Sequence, residues 1–253
     1  MKIKRFVCNA LAENCYVVSS GSSCIIIDPG FDHGGLAVEN AETGALPAET
    51  FSGEGDNDAG GASLNDLAEY LCAEGLQPEA ILLTHSHPDH TLGVAALVEH
   101  FGIPVFAARA DKGPDPCPEN GFSAARADNG PDSCPEQTGA FAGEMVKDAG
   151  ATIFGFTVIA TPGHTPDSVC YYNEAAHVLF TGDTLFAGTI GRTDLPGGDY
   201  DQEIVSIMEK LIFLPGETEI SPGHGPASTI ARERRDNPFL EPFNEREELG
   251  FGA

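Results

Sequence analysis

The apolar run Ala80-Ile81-Leu82-Leu83 stops abruptly at Thr84-His85-Ser86-His87-Pro88-Asp89-His90, and that junction constrains the chain more than any other stretch. A short apolar run of this kind reads as a buried strand. Directly after it, three imidazoles and a carboxylate fall within the six residues 85–90. Nitrogen and oxygen donors at this density suit Zn²⁺ and other first-row divalent metals. His85 and His87, two apart, can point the same way from an extended or turning backbone. Asp89 and His90, further round the turn, can address a second point a few ångström away.

Three further donors sit where other predicted strands end, each among turn-forming residues. They are His164 in Thr161-Pro162-Gly163-His164-Thr165-Pro166, Asp183 in Thr181-Gly182-Asp183-Thr184, and His224 in Ser221-Pro222-Gly223-His224-Gly225. Loops at strand ends are where α/β proteins build their sites. Pro and Gly there fix the backbone, so the side chain is presented without a flexible tether. Five of the eight histidines are used in this way; His33, His100 and His177 lack such a context and read as ordinary surface or core residues.

Around these motifs the pattern alternates between strands and helices. Strands are expected at 3–8, 15–19, 24–27, 80–83, 153–160, 169–172, 178–180 and 219–220. Ser63 is placed to cap a helix whose apolar positions are Leu64, Leu67, Leu71 and Leu76, and further helices are expected at about 91–101, 202–214 and 227–236. Interleaved strands and helices of this kind predict an α/β (α+β) protein with sheets covered by helices, in one domain spanning 1–253. Two segments interrupt the pattern, at about 33–61 and 107–150, and read as surface insertions. The second contains a duplication: Ala107-Ala108-Arg109-Ala110-Asp111 recurs as Ala124-Ala125-Arg126-Ala127-Asp128, and Cys117-Pro118-Glu119 as Cys134-Pro135-Glu136.

Composition narrows the partners. With 13 Lys+Arg against 39 Asp+Glu the formal net charge is −26, which removes any general attraction for phosphate backbones or anionic membranes. No apolar run reaches the ~20 residues that span a bilayer. The seven cysteines are odd in number and show no C-x-x-C spacing, as expected of reduced thiols in a cytoplasmic protein. Neither nucleic acid nor membrane is therefore expected as a partner.

The string THSHPDH, followed in order by PGHT, TGDT and PGHG, resembles the metallo-β-lactamase superfamily, and within it the short glyoxalase II (hydroxyacylglutathione hydrolase)-like branch. Asn14-Cys15-Tyr16, Ile27-Asp28-Pro29-Gly30 and the loop from Gly191-Arg192-Thr193-Asp194 to Asp199 fit the same pattern. The resemblance covers about 1–32, 62–106 and 151–240. It implies a four-layer αβ/βα sandwich with a dinuclear site at one edge. His85, His87 and His164 would hold the first metal, Asp89, His90 and His224 the second, and Asp183 would bridge them. Zn²⁺ is the first expectation for the two divalent ions, with Fe or Mn as alternatives. Asp28 is expected behind the ligands rather than among them.

The activity implied is thioester hydrolysis of a hydroxyacyl-glutathione or related acyl-thiol by a metal-bridging hydroxide, with Asp89 and Asp183 as catalytic residues. The 29 residues after His224 are expected to form one helix and a tail, as in the shorter branch, rather than the helical glutathione-binding domain of the archetype. Arg192 is the candidate substrate contact, weighed against a loop-stabilising pair with Asp194 or Asp199; Arg232, Arg234 and Arg235 are further candidate anion attractors. The alternative activity is a mononuclear Fe(II) persulfide dioxygenase, using His85, His164 and Asp183 as a facial triad. Lactonase or β-lactamase chemistry fits the same ligands. The residues leave the acyl group, the thiol carrier and the oligomeric state open.

Overall fold

The computed structural model describes residues 1–31, 61–108, 122–124 and 152–241. Two six-stranded sheets face each other. The first runs in the order β1 (Lys2–Cys8), β2 (Glu13–Ser20), β3 (Ser23–Ile27), β4 (Gln77–Leu82), β5 (Val105–Ala108), β6 (Phe122–Ala124). The second runs β14 (Ser228–Thr229), β13 (Glu219–Pro222), β10 (Val178–Gly182), β9 (Val169–Asn173), β8 (Phe156–Ala160), β7 (Thr152–Ile153). A two-stranded ribbon, β11 (Leu185–Phe186) with β12 (Thr189–Ile190), follows β10.

Alternation along the strands decides the layers. Tyr16, Val18, Ile25, Ile27, Ala80 and Leu82 meet Phe156, Val158, Tyr171 and Phe180 between the sheets. The intervening residues Cys15, Val17, Ile26, Ile81 and Leu83 face outward onto α1 (Leu64–Ala73) and α3 (Val94–Phe101). Cys170, Leu179 and Ile220, from the outer face of the second sheet, pack against Ile207, Leu211 and Ile230. Helix, sheet, sheet, helix is the expected four-layer αβ/βα order.

Several expected elements change shape for identifiable reasons. The helix expected at 91–101 is broken into α2 (Pro88–Thr91) and α3, because Gly93 N donates to Pro29 O (2.8 Å) and docks the break onto the Asp28-Pro29-Gly30 loop. The strand expected at 153–160 is a hairpin, with Phe154 and Gly155 both at positive φ as a type I′ turn requires. The helix expected at 202–214 is α4 (Tyr200–Ser206) followed by a π-helical turn, Ile207–Leu211. The wider turn brings Ile207, Leu211 and Ile212 into the core together, while Val205 is 48% exposed. The helix expected at 227–236 starts later, as α5 (Ile230–Asp236), since Ser228 and Thr229 pair with Ile220 and Glu219 as β14.

The second insertion begins later than expected, because Ala107 and Ala108 belong to β5, and β6 within it pairs antiparallel to β5. The first insertion, apart from its edge at Gly61, lies outside the described residues, as do His33, Cys117, Cys134 and nearly all of the duplication. Cys8, Cys15, Cys24, Cys72 and Cys170 are free thiols, Cys72 exposed and the rest buried. Among the described residues no helix is long and apolar enough to cross a membrane.

Candidate metal centre

β4, β8, β10 and β13 all end at the same edge of the sandwich, and their carboxyl-terminal loops carry His85 to His90, His164, Asp183 and His224. The seven residues singled out in the sequence therefore come together from both sheets. His85, His87 and His164 form one group of possible ligands and Asp89, His90 and His224 another. Asp183 lies between them: Oδ2 is 3.6 Å from His164 Nε2 and 3.5 Å from His224 Nε2, and Oδ1 is 3.4 Å from His90 Nε2.

The hydrogen bonds behind the rings fix which nitrogen faces the centre. His164 Nδ1 donates to Arg192 O (2.7 Å) and His224 Nδ1 to Leu11 O (3.1 Å), since a carbonyl can only accept. Thr84 Oγ1 donates to Asp28 Oδ2 (2.6 Å), so its lone pair receives His85 Nδ1–H (3.1 Å). His90 Nδ1 donates to the same Asp28 oxygen (3.1 Å). In the neutral form of each of these four rings Nε2 would thus be the lone-pair nitrogen, and all four point inward. His87 turns Nδ1 inward instead, 3.0 Å from His85 Nε2 and 2.9 Å from His164 Nε2.

Three nitrogens thus meet within hydrogen-bond distance, two of them assigned as lone pairs, and His87 Nδ1–H can serve only one of the two, an arrangement that suits a cation. The buried His90 Nε2 and Asp183 Oδ1 have no hydrogen-bond partner among the described residues. Gly223 keeps the space open, because a Cβ there would collide with Asp183 Oδ1 and His90 Cε1. A donor set of imidazole nitrogens and carboxylate oxygens, convergent and unsatisfied, fits two divalent metal ions.

The two groups differ electrostatically. Burial, then the neighbouring rings, lowers the basicity of His85 and His87. At His90 burial acts the same way but is outweighed by Asp183 and Asp28, which hold its pKa well above the usual value. His224 is raised despite burial, by Asp89 and Asp183. Burial would raise both Asp183 and Asp89, yet the facing imidazoles hold Asp183 far below the carboxylate range, and His224 and His90 bring Asp89 down.

Several supporting residues went unassigned in the sequence. Asn14 Nδ2 and Tyr16 Oη both donate to Pro222 O (2.9 and 2.8 Å), and Asn14 also reaches Gly225 O, so the Asn-Cys-Tyr motif clamps the His224 loop. Asn9 Nδ2 joins Gly30 O and Asp89 O (2.8 and 2.9 Å). Asp28 sits behind the ligands as expected, at φ 48°, accepting from Thr84 N (2.7 Å) as well. Two buried acids that touch the centre or its loops, Glu13 and Glu203, were missed. Their signal was a lone carboxylate in an otherwise apolar strand and another on the inner face of a helix.

Arg192 is placed with its side chain exposed, in a bidentate pair with Asp194 (2.8 and 2.9 Å), while its carbonyl orients His164. Asp199 caps α4. Arg234 donates to Ile212 O and Leu214 O, Arg235 pairs with Asp236, and Arg232 is exposed, so none of the three is placed at the centre.

Residues 8–224 match the metallo-beta-lactamase superfamily. The chain belongs to that superfamily. Within it, the chain is 32% identical over 248 residues to the probable metallo-hydrolase YqgX of Bacillus subtilis (strain 168), across 96% of this chain and 100% of the relative. It is 38% identical over 171 residues to the hydroxyacylglutathione hydrolase GloC of Haemophilus influenzae, across 65% of this chain and 77% of the relative. The superfamily fold is matched by TTHA1623, solved in a di-iron-bound form, with a TM-score of 0.66 at 31% identity, covering 94% of this chain and 100% of that one.

Proposed function

We propose that the chain hydrolyses a thioester, a hydroxyacyl-glutathione such as S-D-lactoylglutathione or a related acyl-thiol, with two divalent ions, Zn²⁺ before Fe or Mn. The observation that carries this reading is the inward convergence of four Nε2 lone pairs and His87 Nδ1 around Asp183. When bound, such ions lower the pKa of a shared water and polarise a carbonyl. His85, His87 and His164 would hold one ion, Asp89, His90 and His224 the other, and Asp183 would touch both. Asp89, whose Oδ2 is 3.3 Å from His224 Nε2 and 3.8 Å from His90 Nε2, would also orient the attacking water by accepting its hydrogen bond. A thiolate leaves readily, so the site needs no strong general acid. The likeness to a relative named hydroxyacylglutathione hydrolase supports the thioester, and the full-length likeness to a metallo-hydrolase supports the reaction class.

Arg192 remains the proposed contact for an anionic substrate, and to serve it must exchange Asp194 for the substrate. The alternative, one Fe²⁺ on His85, His164 and Asp183 in a persulfide dioxygenase, draws on the same contact of 3.6 Å between His164 Nε2 and Asp183 Oδ2. It leaves the second group of ligands without a role. The test is a panel of glutathione, coenzyme A and other low-molecular-weight thioesters on metal-quantified protein, with oxygen uptake on glutathione persulfide alongside. Hydrolysis of a hydroxyacyl thioester without oxygen uptake supports the proposal; oxygen uptake with no hydrolysis overturns it.

A further inference from the structure

Helix α4 reads the backbone of the His164 loop one residue at a time. Its N-cap Asp199 donates its N–H to Gly163 O (2.8 Å), Glu203 Oε2 accepts from His164 N (2.8 Å), and Ser206 Oγ donates to Pro162 O (2.8 Å). Residues 199, 203 and 206 are spaced four and three apart, so they share one helical face. Only glycine lets the loop approach this closely: a Cβ on Gly163 (φ 154°) would collide with the N, Cα and Oε2 of Glu203.

Glu203 is the unusual member of the three. It is fully buried, with no ion-pair partner among the described residues, and burial, helped by the Asp183 charge, pushes its pKa up to about 8 against the pull of the His164 and Gly191 backbone N–H groups. Oε1 lies against Gly191, whose N–H is already donated to Thr184 O (3.1 Å), so that oxygen has no full hydrogen bond. Gly191 precedes Arg192, the residue whose carbonyl receives His164 Nδ1–H. One carboxylate therefore touches both segments that orient the His164 ring, its own backbone and the loop behind Nδ1. A buried acid under-satisfied to this degree is costly to keep.

We propose that Glu203 is the positioning residue for His164, holding Nε2 on the point shared with His85 and His87. It acts through His164 and touches no reacting atom. The inference rests on the reading that these three histidines hold a metal ion. Residues that orient a ligand in this way are worth about 10–100-fold in metal affinity.

The test is a Co²⁺ titration of the metal-stripped full-length chain, followed by the visible absorption of bound cobalt, on wild type, Glu203→Gln, Glu203→Ala and His164→Ala. Circular dichroism reports whether each variant folds. Glu203→Gln keeps the shape but turns an amide N–H toward one backbone donor. It should weaken one class of Co²⁺ about tenfold and shift its spectrum, with Glu203→Ala costing about 100-fold. If the alanine variant does not fold, the glutamine variant carries the test. Placed on His164→Ala, Glu203→Gln should cost nothing further, because the residue through which it acts is gone. Wild-type Co²⁺ affinity in folded Glu203→Gln would overturn the proposal, as would an equal loss with and without His164. A wild type that takes only one Co²⁺ contradicts the dinuclear reading instead, and the effect of Glu203 on the His164-dependent ion is still measured.

Discussion

The two groups of candidate ligands share Asp183 but are built on different terms. His85, His87 and His164 form an all-imidazole pole, with His85 2% and His164 3% exposed and ring nitrogens 2.9–3.0 Å apart. Asp89, His90 and His224 form an acidic pole: His90 faces Asp28, Asp89, Asp183 and, 3.8 Å from its Nδ1, Glu13. The backing acids differ in the same way. Glu203, behind the first pole, accepts a backbone N–H, whereas neither oxygen of the buried Glu13, behind the second, has a hydrogen-bond partner among the described residues. The first pole is held by backbone hydrogen bonds; the second gathers acids around His90 and His224 and raises the pKa of both. The lesson is that one pole is positioned by geometry and the other by electrostatics.

The hardest way to break this comparison is to remove what the poles share. Asp183→Ala should lower kcat/KM by about 10³-fold or more, about 4 kcal/mol of transition-state stabilisation, and should reduce metal content at both poles. Retention of wild-type turnover would mean that the poles work independently. Next in size, His164→Ala and His224→Ala should each leave one metal ion per chain by elemental analysis. Loss of both ions in either variant would show the poles to be one cooperative site.

Removal of all metal by a chelator should lower Tm by about 6–12 °C, from the loss of about 3 kcal/mol of binding-linked stability in a chain of this size. Scanning calorimetry with and without chelator measures it, and an unchanged Tm would mean that the unpartnered His90 Nε2 and Asp183 Oδ1 are satisfied without a metal. The smallest effect concerns the rim. Arg192→Ala should raise KM for an anionic thioester about three- to tenfold while lowering kcat less, because the Asp194 pair already occupies its side chain. Unchanged kinetics would assign that side chain to the loop alone.

How much of this was legible in the sequence follows the same division. The metal-facing residues were readable because the chemistry needs His and Asp themselves, each announced by turn residues at a strand end. The layers were readable because alternation in runs such as 15–18 and 24–27 reports both faces of a strand. The breaks were not: Gly93 docks on Pro29 O and the π-turn at Ile207–Leu211 widens α4 for tertiary reasons that local periodicity does not carry. Glu13 and Glu203 were hidden because a charged residue in a strand or helix ordinarily faces water. The same logic drew attention to the arginines, yet Arg234 ties down Ile212 O and Leu214 O, and Arg192 contributes its carbonyl to His164.

The central claim is that two poles share Asp183 and each holds a divalent ion. The most direct measurement is the metal count per chain, by native mass spectrometry, on protein purified without added metal. Two ions per chain, falling to one in His164→Ala and one in His224→Ala, are predicted. A single iron per fully active chain, unchanged by His224→Ala, would contradict the account.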